Sequence, residues 1–402
     1  MKLCKTKEIR QALITEEEIK KVFENGGCIS YIEHKNNPVV LGPGMLLKVN
    51  TNIGISTPKG LNAEIVKLCR IASVPYAPDM MMDHTAIELP KPFWKIMTEE
   101  FDGPLGTIPV YSVFREGKGI DPGELLFTIE NMAVNGINFM GFHHTSTIEI
   151  NEIARKYRTI PSTSWGGTLV LRDAYMNRRE GNVILENLDK ILEILKKHNV
   201  TMNIGTTFRP ARISEALDEA QMAEIAMQKK IIDYARKAGV NVILEGVGHL
   251  ALNDISRYCN LTREHNTPMM PLGPIVTDAS VGCDHVSNAI GATIMALNGN
   301  MGVVNSVTSM EHLGGVPSTE VVLEGLKTAQ VVAHSINLTR FEKIRRIDNM
   351  ISDNRAKGKT CVIQDGLFTE KQSLKTALEK GCSRCNDQCP LVFTEKGNQD
   401  HG

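Results

Sequence analysis

Short apolar runs alternate with helix-forming stretches along the chain from about Leu61 onward. Such alternation is typical of βα units that build a parallel sheet. The clearest helix is predicted over 215–237, with Ser214 as its N-cap and Gly239 as its stop. The apolar runs predict eight strands, at 78–83, 106–111, 137–143, 161–165, 200–205, 241–245, 269–273 and 302–308. Eight such units predict an α/β fold, a (β/α)8 TIM-like barrel.

The remaining sequence flanks this predicted barrel on both sides. Residues 1–60 form an N-terminal region with a charged helix and a turn-rich segment at 50–54. Residues 61–339 form the barrel. The fold typically takes roughly 250 residues, so the full chain of 402 residues is long enough for the barrel and further segments. Residues 340–402 form a C-terminal segment, which we expect to dock through a helix at 370–380 and which ends in a cysteine-bearing tail.

Composition and charge limit the kinds of function and partner that we expect of this chain. Hydrophobic residues make up 42% and charged residues 23%, as in ordinary globular proteins. Lysine and arginine total 45 against 46 aspartates and glutamates, and no basic run could follow a nucleic-acid backbone. The first residues are charged and no stretch of eighteen apolar residues occurs. We therefore expect a cytoplasmic protein with reduced thiols, a small-molecule substrate, and neither nucleic-acid nor membrane partners.

Polar residues close most of the predicted strands. Active sites of this barrel fold lie at the carboxyl ends of the strands, so these side chains should ring one mouth. The strand ends offer Asp83, His84, Tyr111, His143, His144, Ser164, Arg209, Glu245, His249, Thr277, Asp278, Glu311 and His312.

Three cysteines lie within eight residues near the end of the chain, at Cys382, Cys385 and Cys389. Three thiolates can hold three irons of a 4Fe-4S cluster, which leaves the fourth iron open for S-adenosylmethionine. The alternative is a structural zinc site, with Cys361 or His401 as the fourth ligand. Spacing alone leaves both open, and a shielded barrel mouth favours the cluster.

Two histidines, His249 and His312, follow the sixth and eighth predicted strands and could bind one divalent metal, zinc or iron. Taken singly, each is more often a hydrogen-bonded structural residue. Arg209 could clamp an anion or form a salt bridge, and the turn at 164–168 could cradle a phosphate or bind nothing. For Asp278 and Asp284, capping the following helix is the simpler interpretation.

Taken together and in order, these segments resemble the phosphomethylpyrimidine synthase family of radical S-adenosylmethionine enzymes, from about Val39 to Cys389. The resemblance rests on the segments NTNIG at 50–54, GTIPVY at 106–111, FRP at 208–210, EGVGH at 245–249, LGP at 272–274, TD at 277–278, GCDH at 282–285 and EHLG at 311–314.

The resemblance implies a homodimer of barrels that acts on 5-aminoimidazole ribonucleotide with a 4Fe-4S cluster, S-adenosylmethionine and an external electron donor. It implies a metal at His249 and His312, and the cluster at Cys382, Cys385 and Cys389. Glu245 and His143 would orient the substrate and shuttle protons. The substrate contacts that it implies are Asn52, Met82, Tyr111, His143, Ser164, Gly166, Arg209 and Glu245.

The chain also departs from the family pattern. Three residues instead of four separate Cys385 from Cys389, and Thr206, Met270 and Trp165 stand where the family has an aspartate, a tyrosine and an arginine. Because these changes lie in the substrate mouth, we expect the branch that makes 5-hydroxybenzimidazole for the lower ligand of cobamides, alone or with a paralogue. The alternatives are phosphomethylpyrimidine synthesis for thiamine, and a non-catalytic zinc- or ligand-binding barrel that partners a paralogue.

Overall fold

The computed structural model describes residues 30–42, 44–358, 366–380 and 384–385. The strands in this part of the chain are β1 (Ser30–Ile32), β2 (Val39–Leu41), β3 (Lys48–Ile53), β4 (Met80–Asp83), β5 (Leu105–Thr107), β6 (Phe139–Phe142), β7 (Thr201–Ile204), β8 (Val242–Leu244), β9 (Val247–His249), β10 (Leu272–Ile275) and β11 (Val303–Asn305).

The α-helices of the same ranges are α1 (Leu61–Ser73), α2 (Phe93–Glu100), α3 (Val110–Val113), α4 (Pro122–Val134), α5 (Ile148–Tyr157), α6 (Trp165–Met176), α7 (Val183–Glu186), α8 (Leu188–Lys197), α9 (Glu219–Lys237), α10 (Ile255–Arg263), α11 (Asp284–Asn298), α12 (Thr319–Arg340), α13 (Glu342–Gly358) and α14 (Lys371–Lys380). Short 3-10 helices occur at Pro58–Gly60, Ile213–Glu215 and Leu252–Asp254. No helix of the described ranges is both long and apolar enough to span a bilayer.

A parallel seven-stranded sheet forms the centre, in the order β11-β3-β4-β5-β6-β7-β8. Its two edges are linked through Met269, which makes isolated parallel bridges to Leu244 at the end of β8 and to Met301 just before β11. Helices surround the sheet, and this arrangement fits an α/β barrel. Outside it, β1 and β2 pair antiparallel, and β9 and β10 pair in parallel.

Six of the eight predicted strands overlap a strand of the central sheet, and two do not. The predicted strand at 161–165 is wrong, because Ser164 caps helix α6 and Trp165 begins it. The predicted strand at 269–273 is confirmed only in part: Met269 bridges both edges of the sheet, as a strand between β8 and β11 would, but only by isolated bridges, and β10, which starts at Leu272, pairs with β9. Strand β3, which we had not predicted, lies between β11 and β4, so the sheet begins before residue 61.

The inner face of the sheet is polar. Asn50 of β3 is fully buried, and its side-chain nitrogen donates to the side-chain oxygens of Asn52 and Asn305, each at 2.7 Å. Alternate residues of a strand share a face, so Asn50 and Asn52 point to the same side. Asn203 of β7 is fully buried as well and donates to Glu245. Buried side-chain amides that are hydrogen-bonded to neighbouring side chains favour one unique arrangement of this interior.

The hairpin β1-β2 packs at the amino ends of two sheet strands. The Ser30 hydroxyl donates to the carbonyl of Val242 at the start of β8. The hydroxyl of Thr201, which begins β7, donates to the carbonyl of Tyr31 at 3.1 Å. The hairpin therefore lies at the amino ends of these strands. It does not cover their carboxyl ends, where the site is expected.

Candidate active site

His143 follows β6 and lies in a tight slot between two loops. The hydroxyl of Ser164 lies 3.3 Å from its Nε2 atom, and the hydroxyl of Thr207 lies 3.4 Å from its Nδ1 atom. A Cβ on Gly166 would stand 2.7 Å from Nε2, and one on Gly205 would stand 2.7 Å from Cε1. Only glycine at Gly166 and Gly205 leaves room for the ring.

Burial keeps the His143 imidazole neutral. Burial first, and then the nearby charge of Arg209, lower the pKa of His143 to about 3. A neutral imidazole can donate from one ring nitrogen and accept at the other. His143 is therefore able to orient a polar substrate group at neutral pH.

Glu245 follows β8 and is held by three groups. Its Oε1 accepts from the Asn203 amide at 2.8 Å, and its Oε2 lies 3.3 Å from Nη1 of Arg209 and 3.4 Å from the Thr206 amide. Arg209 also donates to the carbonyl of Thr206 at 2.9 Å. Both ion-pair partners are largely buried, so the pair is fixed rather than solvated.

Burial raises the pKa of Glu245, and the Arg209 charge opposes that rise. Burial and the neighbouring Glu245 charge also raise the pKa of Tyr111, so its phenol stays protonated. A carboxyl whose proton affinity is raised, beside a fixed guanidinium and a phenol, can exchange a proton with a bound ligand.

The other predicted substrate contacts lie around the same mouth. Met82 of β4 is buried and is paired in register with Asn52 of β3. The ring centroid of Tyr111, in helix α3, lies 5.1 Å from that of Trp165 and 6.1 Å from that of His84. The structure thus brings all eight predicted contacts to the carboxyl ends of β3 to β8 and to the loops and helix starts that follow them.

His249 and His312 face each other. Their Nε2 atoms are 3.2 Å apart, and each Nδ1 is bonded to a carboxylate. His249 Nδ1 lies 2.7 Å from Asp278, and His312 Nδ1 lies 2.9 Å from Asp284. A carboxylate at Nδ1 holds the proton there in neutral imidazole and leaves the Nε2 lone pair free. Two lone pairs that face each other at this distance suit a shared cation.

The donor set at this pair is small. Among the residues that the structure describes, no group of three His, Cys, Asp or Glu side chains could hold a metal ion. The two aspartates lie on the Nδ1 side of the rings, away from the gap between the Nε2 atoms. A metal bound here would have two protein ligands, and its other positions would be open.

The helix-capping interpretation of the two aspartates does not fit the structure. Cys283 precedes α11 as its N-cap, and Asp284, fully buried, accepts from the backbone amide of His312 at 3.3 Å as well as from its ring. Asp278 also accepts from the amide of Ile213. Both carboxylates therefore orient histidines.

Of the cysteine triplet, only Cys385 lies in the described part of the chain, where it is exposed with a free thiol. Cys382 and Cys389 lie outside the described residues. The predicted ligand set at the triplet therefore stays a prediction.

Sequence analysis did not single out Glu224. It is fully buried in α9 and accepts from the Thr145 hydroxyl at 2.5 Å and from the amides of Thr207 and Phe208 at 2.6 and 3.0 Å. It thus ties the loop after His143 to the loop that carries Arg209. A signal was present, because Gln221, Glu224 and Gln228 share helical spacing on the apolar face of α9.

Comparisons with known proteins cover nearly the whole chain. The family model described as "Radical SAM ThiC family" matches residues 3–396. A phosphomethylpyrimidine synthase from Pyrococcus abyssi is 32% identical over an alignment of 402 positions, which covers 95% of this chain and 92% of that protein. One from Pyrococcus furiosus is 34% identical over an alignment of 377 positions, which covers 89% of this chain and 86% of that protein. One from Thermoanaerobacter sp. is 32% identical over an alignment of 417 positions, which covers 97% of this chain and 95% of that protein.

Proposed function

The chain belongs to the radical SAM ThiC family, and from this premise we propose that it rearranges 5-aminoimidazole ribonucleotide into the phosphomethylpyrimidine of thiamine. The proposal rests on the similarity of this chain to proteins named phosphomethylpyrimidine synthase, which are 32–34% identical to it over most of both chains. It favours the thiamine product over hydroxybenzimidazole, which we had expected from the substitutions in the mouth.

Membership of this family implies a 4Fe-4S cluster and S-adenosylmethionine. When bound, they supply a 5'-deoxyadenosyl radical that removes a hydrogen atom from the substrate. The spacing of Cys382, Cys385 and Cys389 suits three thiolate ligands, although one residue fewer lies between the last two than in the family pattern. An external electron donor and a homodimeric state complete the proposal.

The residues of the mouth bind and orient the substrate. Arg209 places a fixed positive charge beside Glu245, and together they can hold a group that carries both donors and acceptors. The neutral imidazole of His143 donates or accepts one hydrogen bond, in a position fixed by Ser164 and Thr207. Because burial raises the pKa of Glu245, this carboxyl is the residue that we assign to holding or releasing a substrate proton.

The paired histidines fit the proposed divalent metal. Nε2 of His249 and Nε2 of His312 point at each other, and the carboxylates of Asp278 and Asp284 fix both rings. A zinc or iron ion there would act as a Lewis acid at positions left open for substrate or cofactor.

The hydroxybenzimidazole product is kept as a second candidate because of three neighbours of the site. Trp165 places a half-exposed indole against Tyr111 where the family has an arginine. Thr206 accepts from the side chain of Gln228 at 2.9 Å, and Met270 is buried. A mouth with less charge could release a different product from the same substrate.

Product analysis tests the proposal. The reconstituted protein is incubated anaerobically with reductant, S-adenosylmethionine and 5-aminoimidazole ribonucleotide, and the products are identified by mass spectrometry. A phosphorylated pyrimidine is the expected result, and 5-hydroxybenzimidazole would replace the proposal with the second candidate. If neither a product nor 5'-deoxyadenosine forms, the non-catalytic binding role becomes the better account.

A further inference from the structure

We propose that His84 is an additional substrate-binding residue of this chain, which forms a hydrogen bond through Nε2 to a polar group of the ribonucleotide. The inference rests on the proposed function, because it takes the substrate from there. Neither the family resemblance nor the predicted set of substrate contacts includes His84.

The register of the sheet places His84 at the mouth. In β4, Met82 is paired with Asn52, which shares the inner face of β3 with Asn50. His84 lies two residues after Met82, and its amide donates to the carbonyl of Ile53 at 2.8 Å, so it continues the pairing of β4 with β3. Residues two apart on a strand point to the same side, which directs His84 to the side of Met82.

Contacts with proposed site residues support this position. The imidazole of His84 lies edge-on to the ring of Tyr111, with centroids 6.1 Å apart and planes at 75°. The charge of Arg209 contributes to lowering the pKa of His84, and His84 in turn contributes to lowering the pKa of His143. The ring contact places His84 beside Tyr111, one of the residues that we assign to the substrate.

The Nε2 atom of His84 is buried and has no hydrogen-bond partner in the described part of the protein. A buried polar atom without a partner is destabilising, and at a binding site its partner is commonly the ligand. Burial first, and then the Arg209 charge, lower the pKa of His84 to about 4, so the ring is neutral at pH 7. A neutral ring can donate to a phosphate or hydroxyl oxygen, or accept from an amine, all of which the ribonucleotide has.

A binding measurement without turnover tests this assignment. Isothermal titration calorimetry with 5-aminoimidazole ribonucleotide is carried out on the cluster-loaded protein in the absence of reductant and S-adenosylmethionine. We expect His84→Leu to weaken binding about three- to tenfold, which is the value of one neutral hydrogen bond. His84→Gln should stay within about threefold of wild type, because its amide nitrogen reaches the position of Nε2. His84→Asn should behave like His84→Leu, because its shorter amide does not reach that position.

Thermal unfolding of the ligand-free proteins separates binding from a structural role. Removing a buried group without a partner should leave His84→Leu at least as stable as wild type, whereas a structural histidine would lower the unfolding temperature. His198→Leu, at the C-cap of α8, serves as a control that should bind the ribonucleotide like wild type. If His84→Leu is too unstable to titrate, the Gln and Asn variants decide.

The outcomes distinguish this inference from the proposed function. Binding by wild type and equal binding by the Leu and Asn variants would overturn the role of His84 and leave the proposed function intact. If wild type itself does not bind the ribonucleotide, the proposed function fails, and the inference fails with it.

Discussion

At the scale of single residues, Glu224 organises the site without facing it. Its carboxylate bonds to Thr145 in one loop and to the amides of Thr207 and Phe208 in the next. Burial raises the pKa of Glu224 to about 7, and the three hydrogen bonds oppose that rise. It is a positioning residue for Arg209, which follows Phe208 directly.

We predict that Glu224→Gln raises KM for the ribonucleotide about tenfold, with a smaller change in KM for S-adenosylmethionine. A side-chain NH2 cannot accept a hydrogen bond, so one buried amide loses its partner, at a cost of about 1–3 kcal/mol in unfolding free energy. Steady-state kinetics and urea denaturation measure the two effects. Glu219→Gln, at an exposed position of the same helix, is the matched control. Equal KM values for the two variants would contradict the positioning role.

His144 makes the stability of the protein sensitive to acid. The residue is fully buried, and burial lowers its pKa from 6.5 to about 3. Between these values the unfolded chain binds a proton that the folded chain does not, so the stability contribution is present above pH 6.5 and is lost as the pH falls below it.

We therefore predict that His144→Leu loses less stability than wild type between pH 7 and pH 5, by about 2 kcal/mol. Each protein's stability at pH 5 is compared with its own stability at pH 7, so any loss of stability that the substitution causes at pH 7 cancels. Chemical denaturation at both pH values measures it. Parallel losses in the two proteins would show that His144 does not titrate as its burial requires.

At the scale of elements, the end of β9, the start of α11 and the segments after β10 and β11 build the histidine pair together. Asp284, the first residue of α11, binds the ring of His312 and its backbone amide. Carboxylates that bond to metal-binding histidines orient the ring and raise its basicity.

We predict that Asp284→Asn weakens zinc or iron binding about 10- to 100-fold, the range typical for such partners. Competition with a chelator, read by metal analysis, measures this without any turnover. Asp233→Asn, on helix α9 and away from the pair, should bind the metal like wild type. If Asp284→Asn retains full affinity, the aspartate does not support a metal site.

The strands that sequence analysis missed or misplaced have physical causes. The segment Asn50-Thr51-Asn52 predicts a turn, because asparagine is depleted in strands, yet in β3 it forms the polar inner face. The apolar and hydroxyl residues at 161–165 predict a strand, but Ser164 accepts from the Gly167 amide as an N-cap and starts α6. In both cases side-chain hydrogen bonds, which a hydrophobic pattern does not contain, decide the structure.

The positions of the candidate site residues were more predictable than these elements. Residues such as His143 and Glu245 could be placed from sequence because barrel chemistry gathers at the carboxyl ends of strands. Glu224 and the roles of Asp278 and Asp284 could not, because they depend on contacts between residues far apart in the chain. No strand pattern predicts such contacts.

At the scale of the whole molecule, a curled parallel sheet presents a ring of buried polar groups, and the predicted cluster cysteines lie on a tail about 80 residues after the last strand of that sheet. The proposed function requires this tail to act together with the mouth, in the same subunit or in a second copy. The cysteine spacing of this chain departs from the family pattern, which makes this requirement the one to test.

The central claim is that the triplet supports radical chemistry on a substrate held in the mouth. It is tested most directly by measuring 5'-deoxyadenosine formed anaerobically from S-adenosylmethionine and reductant, with 5-aminoimidazole ribonucleotide present, by wild type and by Cys385→Ala. We predict formation by wild type and none by the variant, with equal unfolding temperatures, because Cys385 is exposed and outside the core. Undiminished formation by the variant would contradict the account.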